Sequence, residues 1–296
     1  MQCDLIRING DSTVSLQKWN KPERTEDQIT VRSVLTGICS SDVAMFNGGM
    51  DLLPDCMHGH EGLGEVMSVG KNVSTAKVGD FVATRGEPAF SEYYNVRDGE
   101  FVVVPEASPK YILEPTACSV NIADKIGKVG NKSLLIIGSG FLARVVYQVL
   151  EYNNRDKIRN ATVLGGAYSE WWNGKNVKTQ IEPQDKFDIV VDLSSDINHF
   201  DADVLNDDGH YLMCAEKQGN VDFAPFLWKS VRVDLPSPRT KTFYNSMVKA
   251  NLLVQKQIIV VDDMWGRAYS FEDAQNAFEN RTNNIDRNRT YIKWDQ

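Results

Sequence analysis

The run Leu134-Leu135-Ile136-Ile137-Gly138-Ser139-Gly140-Phe141-Leu142-Ala143 constrains the fold more than any other stretch of this chain. Four consecutive apolar residues have the pattern of a strand buried on both faces, as in a parallel sheet covered by helices. Two glycines then turn the chain, and a helix starts at once. Around this unit, strands are expected at 133–137, 161–164, 187–193, 211–215 and 231–235, with helices near 142–152 and 242–250. That alternation specifies an α/β fold with a doubly wound parallel sheet.

Before Glu114-Pro115 the pattern is different. Short alternating runs at 29–35, 64–69, 80–84, 91–96 and 101–104 are separated by turn residues such as Gly70-Lys71-Asn72 and Val78-Gly79-Asp80. They read as strands of a barrel or sandwich. A helical stretch near 117–126 marks the change. At the C-terminal end, 271–279 reads as a helix and 290–294 as a strand that returns to the first domain. The expected division is therefore a β-rich domain over 1–116 and 264–296, with the α/β domain over 117–263.

A chain of 296 residues is long enough for two such domains. Its net charge of −8, without a basic aromatic-studded face, argues against a nucleic-acid partner. No apolar run approaches the ~20 residues that span a bilayer, so no membrane partner is expected. The start Met1-Gln2-Cys3-Asp4 has no signal-peptide character. The five scattered cysteines suit reduced thiols and one or two metal ligands rather than a disulfide framework. A cytoplasmic location is expected.

Two glycine-rich runs in the first domain carry metal chemistry. Gly37-Ile38-Cys39-Ser40-Ser41-Asp42 and Gly59-His60-Glu61-Gly62-Leu63-Gly64-Glu65-Val66 supply a thiolate, an imidazole and a carboxylate. That S, N, O set suits zinc. A lone buried cysteine is usually a small hydrophobe and a lone histidine a satisfied polar residue. Their joint appearance points to a site. Asp42 is expected to orient His60 through its other ring nitrogen, and Ser41 to pass a proton between substrate and solvent. His58, two residues from His60, is a competing ligand. A fourth donor should come from a distant segment, with Glu114 chosen and Cys118 its rival.

Gly138-x-Gly140-x-x-Ala143 between strand and helix is a dinucleotide fingerprint. Gly138 permits the tight turn, and Gly140 lets a pyrophosphate approach the N-terminus of the helix that Phe141 and Leu142 begin. An Asp or Glu at the tip of the second strand would hold the ribose 2′-hydroxyl of NAD. Here that tip reads Val163-Leu164-Gly165-Gly166-Ala167-Tyr168-Ser169, with no carboxylate, and Glu170 lies too far along. NADP is therefore favoured over NAD. Ser169, Lys175 and Arg144 are candidate phosphate contacts, although each also reads as an ordinary surface residue.

These motifs resemble those of the zinc-dependent medium-chain dehydrogenase/reductase family, which includes alcohol and polyol dehydrogenases. The resemblance extends through Ser91-Glu92-Tyr93, Glu114-Pro115 and Phe271-Glu272-Asp273-Ala274. It implies a GroES-like catalytic domain joined to a Rossmann domain, a homodimer, and reversible oxidation of a secondary alcohol to its carbonyl. By position it implies that Cys39 and His60 bind the catalytic zinc. Glu61 corresponds to a carboxylate that binds zinc or exchanges with water, Glu114 to the further glutamate of polyol dehydrogenases, and Ser41 to the relay hydroxyl.

The chain also departs from the family pattern. The four-cysteine lobe of the structural zinc is missing, because 80–85 runs almost directly into 89–96, so one catalytic zinc and no structural zinc are expected. Ala44 replaces a common relay histidine. The segment 166–178 is short and rich in Trp and Gly, so the usual helix there should be abbreviated. The layout most resembles ribitol-5-phosphate dehydrogenases, through His60-Glu61, the non-acidic strand tip, Arg239 and the ending Tyr291-Ile292-Lys293-Trp294. Arg24, Arg85, Arg239 and Lys241 are then candidates for phosphate contacts. Two alternatives accompany this reading: a zinc-independent NADPH enone or quinone reductase, and a non-catalytic nucleotide-binding protein on the same fold.

Overall fold

The structure is a computed structural model that describes residues 2–54, 57–155, 158, 160–166, 170–286 and 288–294. Its contacts divide the chain into two units, 1–116 with 247–296, and 117–246. Among the described residues, no helix is long and apolar enough to cross a membrane.

The first unit begins with a hairpin of β1 (Gln2–Ile8) and β2 (Val14–Asn20). There follow β3 (Gln28–Gly37), the short helix α1 (Ser40–Phe46), β4 (Glu61–Val69), β5 (Phe81–Arg85), β6 (Tyr93–Arg97) and β7 (Phe101–Val104). The alternating apolar residues of β3, β4, β5 and β6 meet in a core of Ile29, Val31, Val66, Val82, Tyr94 and Val96. Helix α2 (Glu114–Ile126) begins in the first unit and continues into the second.

The second unit is the doubly wound sheet. Its strands are β8 (Leu134–Ile137), β9 (Ala161–Leu164), β10 (Asn176–Lys178), β11 (Phe187–Asp192), β12 (Leu205–Met213) and β13 (Arg232–Asp234). They pair in parallel in the order β10-β9-β8-β11-β12-β13. All four residues of β8 are buried, as its unbroken apolar run requires. Helix α3 (Phe141–Asn153) follows β8 directly, and α4 (Ala224–Trp228) precedes β13.

Strand β12 starts six residues before the expected 211, because Leu205 is buried and pairs with Phe187 ahead of a register shift. Between β9 and β10 the described residues form no helix. Aromatic packing takes its place: Trp171 and Trp172 set their rings edge-on to Tyr147 of α3, with centroids 6.1 and 5.5 Å away.

Helix α5 (Phe243–Gln255) crosses back into the first unit, which then adds β14 (Trp265–Ser270), α6 (Ala274–Thr282) and β15 (Arg289–Lys293). By its contacts the chain rejoins the first unit from Met247 onward. One reason is Asn251, whose side-chain amide donates to the Val103 carbonyl of the first unit at 2.9 Å. The larger sheet of this unit runs β14-β15-β3-β4-β5-β7, with β6 also paired to β3. This order brings β15 beside the C-terminal end of β3, with Tyr291 opposite Gly37, while Gly37 also stands opposite Glu61 of β4.

Candidate active site

Cys39, His60 and Glu61 converge. Their ligand atoms all lie within 4.8 Å of one another, and among the described residues they form the one group of three or more such side chains. The sequence places them there by simple means. Cys39 caps the N-terminus of α1 in extended conformation, directly after β3 ends at Gly37. Its amide donates to Asp42 Oδ2 at 2.8 Å, which fixes the turn. His60 and Glu61 lie at the entry to β4, beside that end of β3. Gly37 makes room: a Cβ at this position would stand 2.2 Å from Glu61 Oε2.

The site is half-buried at Cys39 and His60, buried at Asp42 and Glu61, and crowded with acidic groups. Asp42 is fully buried, and its Oδ1 has no hydrogen-bond partner but lies 3.8 Å from His60 Nδ1. Burial pushes the Asp42 carboxyl up to about 6, against the pull of His60 and the Cys39 amide. Burial works against a charged His60, yet Asp42, the Cys39 thiol and Glu114 outweigh it and raise its pKa well above the usual value. Arg289, at the start of β15, donates through Nη2 to Glu61 Oε1. Burial opposes this guanidinium charge, while Glu61, Cys39 and Glu114 raise its pKa. Glu61 Oε2 is buried without a hydrogen-bond partner.

An anionic pocket with a soft sulfur, an imidazole and an orphaned carboxylate oxygen fits a zinc ion. The proton on His60 is what such an ion would displace on binding. Glu114 is 5% exposed and acts electrostatically on both His60 and Arg289, but it is not in the three-residue group. Its rival Cys118 belongs to the second unit. His58 is also outside the group; its ring is buried, and burial with Arg7 nearby lowers its pKa. Ser41 is half-buried in the first turn of α1. Arg289 was the residue that sequence reasoning missed.

The glycine turn of the second unit has the expected form. Gly138 adopts φ +108°, which strains any other residue, and its amide donates to the Leu164 carbonyl at 2.8 Å. Gly140 is the N-cap of α3, Phe141 is buried, Leu142 is half-buried, and Ala143 is 1% exposed against the sheet. The Trp172 indole N–H donates to the Ser139 carbonyl at 2.9 Å, tying the aromatic segment to the turn. This is a glycine cradle at a helix N-terminus, and it fits a dinucleotide pyrophosphate.

Several of the candidate phosphate contacts are engaged within the protein. Ser169 lies outside the described residues. Lys175 is paired with Glu151 at 2.9 Å, and the Arg144 guanidinium stacks over Trp171 at 4.7 Å. Arg24 donates to Ser68 and the Thr25 carbonyl, and Arg85 pairs with Glu100. Arg239 and Lys241 are exposed after β13.

Comparison with known proteins finds similar sequences and a shared fold. Residues 25–108 match the alcohol dehydrogenase GroES-like domain. The chain is 23% identical over 174 residues to D-arabinitol dehydrogenase 1 of Uromyces fabae, an alignment covering 49% of this chain and 50% of that protein. It is 36% identical over 80 residues to sorbitol dehydrogenase of Bombyx mori, covering 26% of this chain and 23% of that one. The alignments thus span half or less of these curated relatives. An oxidoreductase/dehydrogenase of unknown specificity from Escherichia coli, ECK1772, superimposes with a TM-score of 0.84 over 100% of both chains at 17% identity, which shows a shared fold. Over residues 25–108 the chain is thus similar to the GroES-like domain of alcohol dehydrogenases, and over its whole length it shares the fold of ECK1772.

Proposed function

We propose that this protein is a zinc-dependent oxidoreductase that interconverts a secondary alcohol, in a polyol, sugar or sugar phosphate, with its carbonyl. It uses NADP(H) in preference to NAD(H) and holds one catalytic zinc and no structural one. The observation that carries this reading is the convergence of half-buried Cys39 and His60 with buried Glu61 in a chain that also holds a dinucleotide turn. A bound zinc would supply Lewis-acid polarisation of the substrate oxygen, and a bound nicotinamide would supply or take the hydride.

The protein's own residues do the rest. Cys39 and His60 hold the metal, with Glu61 and Glu114 as the carboxylates of the site. Asp42, buried 3.8 Å from His60 Nδ1, orients the imidazole. Ser41 relays the proton to solvent in place of the histidine that Ala44 replaces. Gly138, Gly140, Phe141 and Leu142 present the helix N-terminus to the pyrophosphate, and Arg239 is the cation assigned to a phosphate in this reading. A zinc-independent reductase would have no use for the metal donors. The four described cysteines are free thiols, which suits the reducing cytoplasm.

The cofactor reading is tested by fluorescence titration with NADPH and NADH. With no carboxylate among the described residues at the β9 tip to repel a 2′-phosphate, NADPH is expected to bind at least about tenfold more tightly. Equal affinity would remove the preference, and no binding of either would favour a non-catalytic role. Polyols and their phosphates, screened with the preferred oxidised cofactor and with or without chelator, then test the reaction.

A homodimer through β13 is part of the same reading. This strand is an edge of its sheet, flanked by exposed Phe223, Leu227, Trp228 and Leu235. Two copies of Arg232-Val233-Asp234 paired antiparallel about Val233 would set each Arg232 opposite an Asp234, a self-complementary arrangement. Light scattering should give a dimer, and Trp228→Asp should shift it to monomer. A monomeric wild type would reject this interface.

A further inference from the structure

The second unit holds a buried ion pair that the proposed reaction does not use. Lys217 Nζ lies 2.8 Å from Asp192 Oδ2, with the two side chains 2% and 0% exposed. The same ammonium donates to the carbonyls of Ser194 and Asp196, each at 2.7 Å. Three acceptors thus meet its three donors. Asp192 in turn accepts from the Ser194 amide on Oδ1 at 2.9 Å and from the Tyr211 hydroxyl on Oδ2 at 2.5 Å. That hydroxyl also lies 2.8 Å from the His199 carbonyl, and His199 Nδ1 stands 2.9 Å from Ser194 Oγ. Burial first, and Asp192 second, push the Tyr211 phenol and the Cys214 thiol up, so both stay neutral beside the pair.

What this cluster fixes is the loop that leaves β11. In open parallel sheets ligands bind beyond the carboxyl ends of the strands, where the strand order reverses. Here that point falls between β8 and β11. One of the two loops flanking it is the glycine turn; the other begins at Leu193. They touch: the Leu193 amide donates to the Ile137 carbonyl at 3.0 Å, and its Cβ is 3.4 Å from where a Cβ on Gly138 would stand. A shift of the second loop would therefore press on the first.

A buried ammonium–carboxylate pair contributes little net stability, because desolvation cancels most of the attraction, and apolar replacements are often as stable. Its contribution is geometric definition. We propose that Lys217 is a positioning residue for the dinucleotide crevice: by binding Asp192, Ser194 and Asp196 together it preorganises the loop after β11 against the glycine turn. The inference rests on the dinucleotide reading above and deepens it, and it assigns Lys217 no contact with the cofactor.

The test compares wild type, Lys217→Met and the double variant Lys217→Met/Asp192→Asn in the full chain. The single variant strands a buried carboxylate and is expected to lose stability. The double variant removes that charge and keeps the fold. In the double variant, NADPH should bind at least about tenfold more weakly. Amide hydrogen exchange at 193–199 should be faster, while zinc content and melting temperature stay near wild type. A folded double variant that binds NADPH as wild type does, or keeps wild-type protection at 193–199, overturns this inference alone. A wild type that binds no dinucleotide overturns the cofactor reading and this inference with it.

Discussion

Cys39→Ser and His60→Ala protein, purified without chelator, is expected to lose its zinc while wild type holds about one zinc per chain. Turnover should fall on the order of a thousandfold or more, the several kcal/mol that a Lewis acid contributes. Cofactor binding should persist, because the glycine turn and its partners all lie in the second unit. The two variants fail for different reasons. Serine keeps a donor of nearly the same size but loses the thiolate that zinc prefers. Alanine at 60 removes the imidazole and leaves Asp42 buried without its neighbouring base. Metal analysis with cofactor titration on one preparation separates these effects from unfolding. Full zinc and full turnover in both variants would sink the mechanism; loss of zinc with turnover retained would leave the metal without a catalytic role.

Much of this site was readable in the sequence because its parts are local. Cys39 to Asp42 form one turn at a helix start, and His60 to Gly64 form one strand entry, so each keeps its chemistry within a few residues. The parallel sheet was readable for a related reason: β8 and β11 bury nearly every residue and leave no alternation. The hairpin of β1 and β2 has a signal of its own in the alternation of Val14-Ser15-Leu16-Gln17.

Arg289 and Lys217 were illegible for a physical reason. A cation in Asn288-Arg289-Thr290 or Glu216-Lys217-Gln218 looks like solvated surface. Only the pairing of β15 with β3 carries Arg289 to Glu61, 228 residues away in the chain. Lys217 becomes buried only because β11 and β12 pair in parallel and bring their ends together. The signal that could have flagged Arg289 is its place at the head of a short strand that holds the buried Ile292 and is followed by the buried Trp294.

Arg289→Met is expected to be the most destabilising single change in the first unit. Methionine fills much of the same volume but leaves Glu61, fully buried, without its counter-charge. Breaking a buried pair from one side costs roughly 3–5 kcal/mol. For a unit of this size that corresponds to a fall in melting temperature of roughly 6–20 °C. Metal should change the result. In zinc-depleted protein the stranded carboxylate loses its hydrogen-bonded guanidinium and keeps only the His60 imidazole nearby, so most of the loss should appear. With zinc added, the ion can take over the guanidinium's electrostatic role, and binding to the folded state alone adds stability by mass action. The gap between wild type and Arg289→Met should therefore narrow as zinc is titrated. In Glu61→Gln/Arg289→Met, where no charge is stranded, the gap should be small without zinc and should not narrow as zinc is added. An Arg289→Met protein as stable as wild type without zinc would mean that the guanidinium does not compensate Glu61. A loss that zinc cannot reduce would mean that Glu61 does not face the ion, and the donor set would shrink to Cys39, His60 and Glu114.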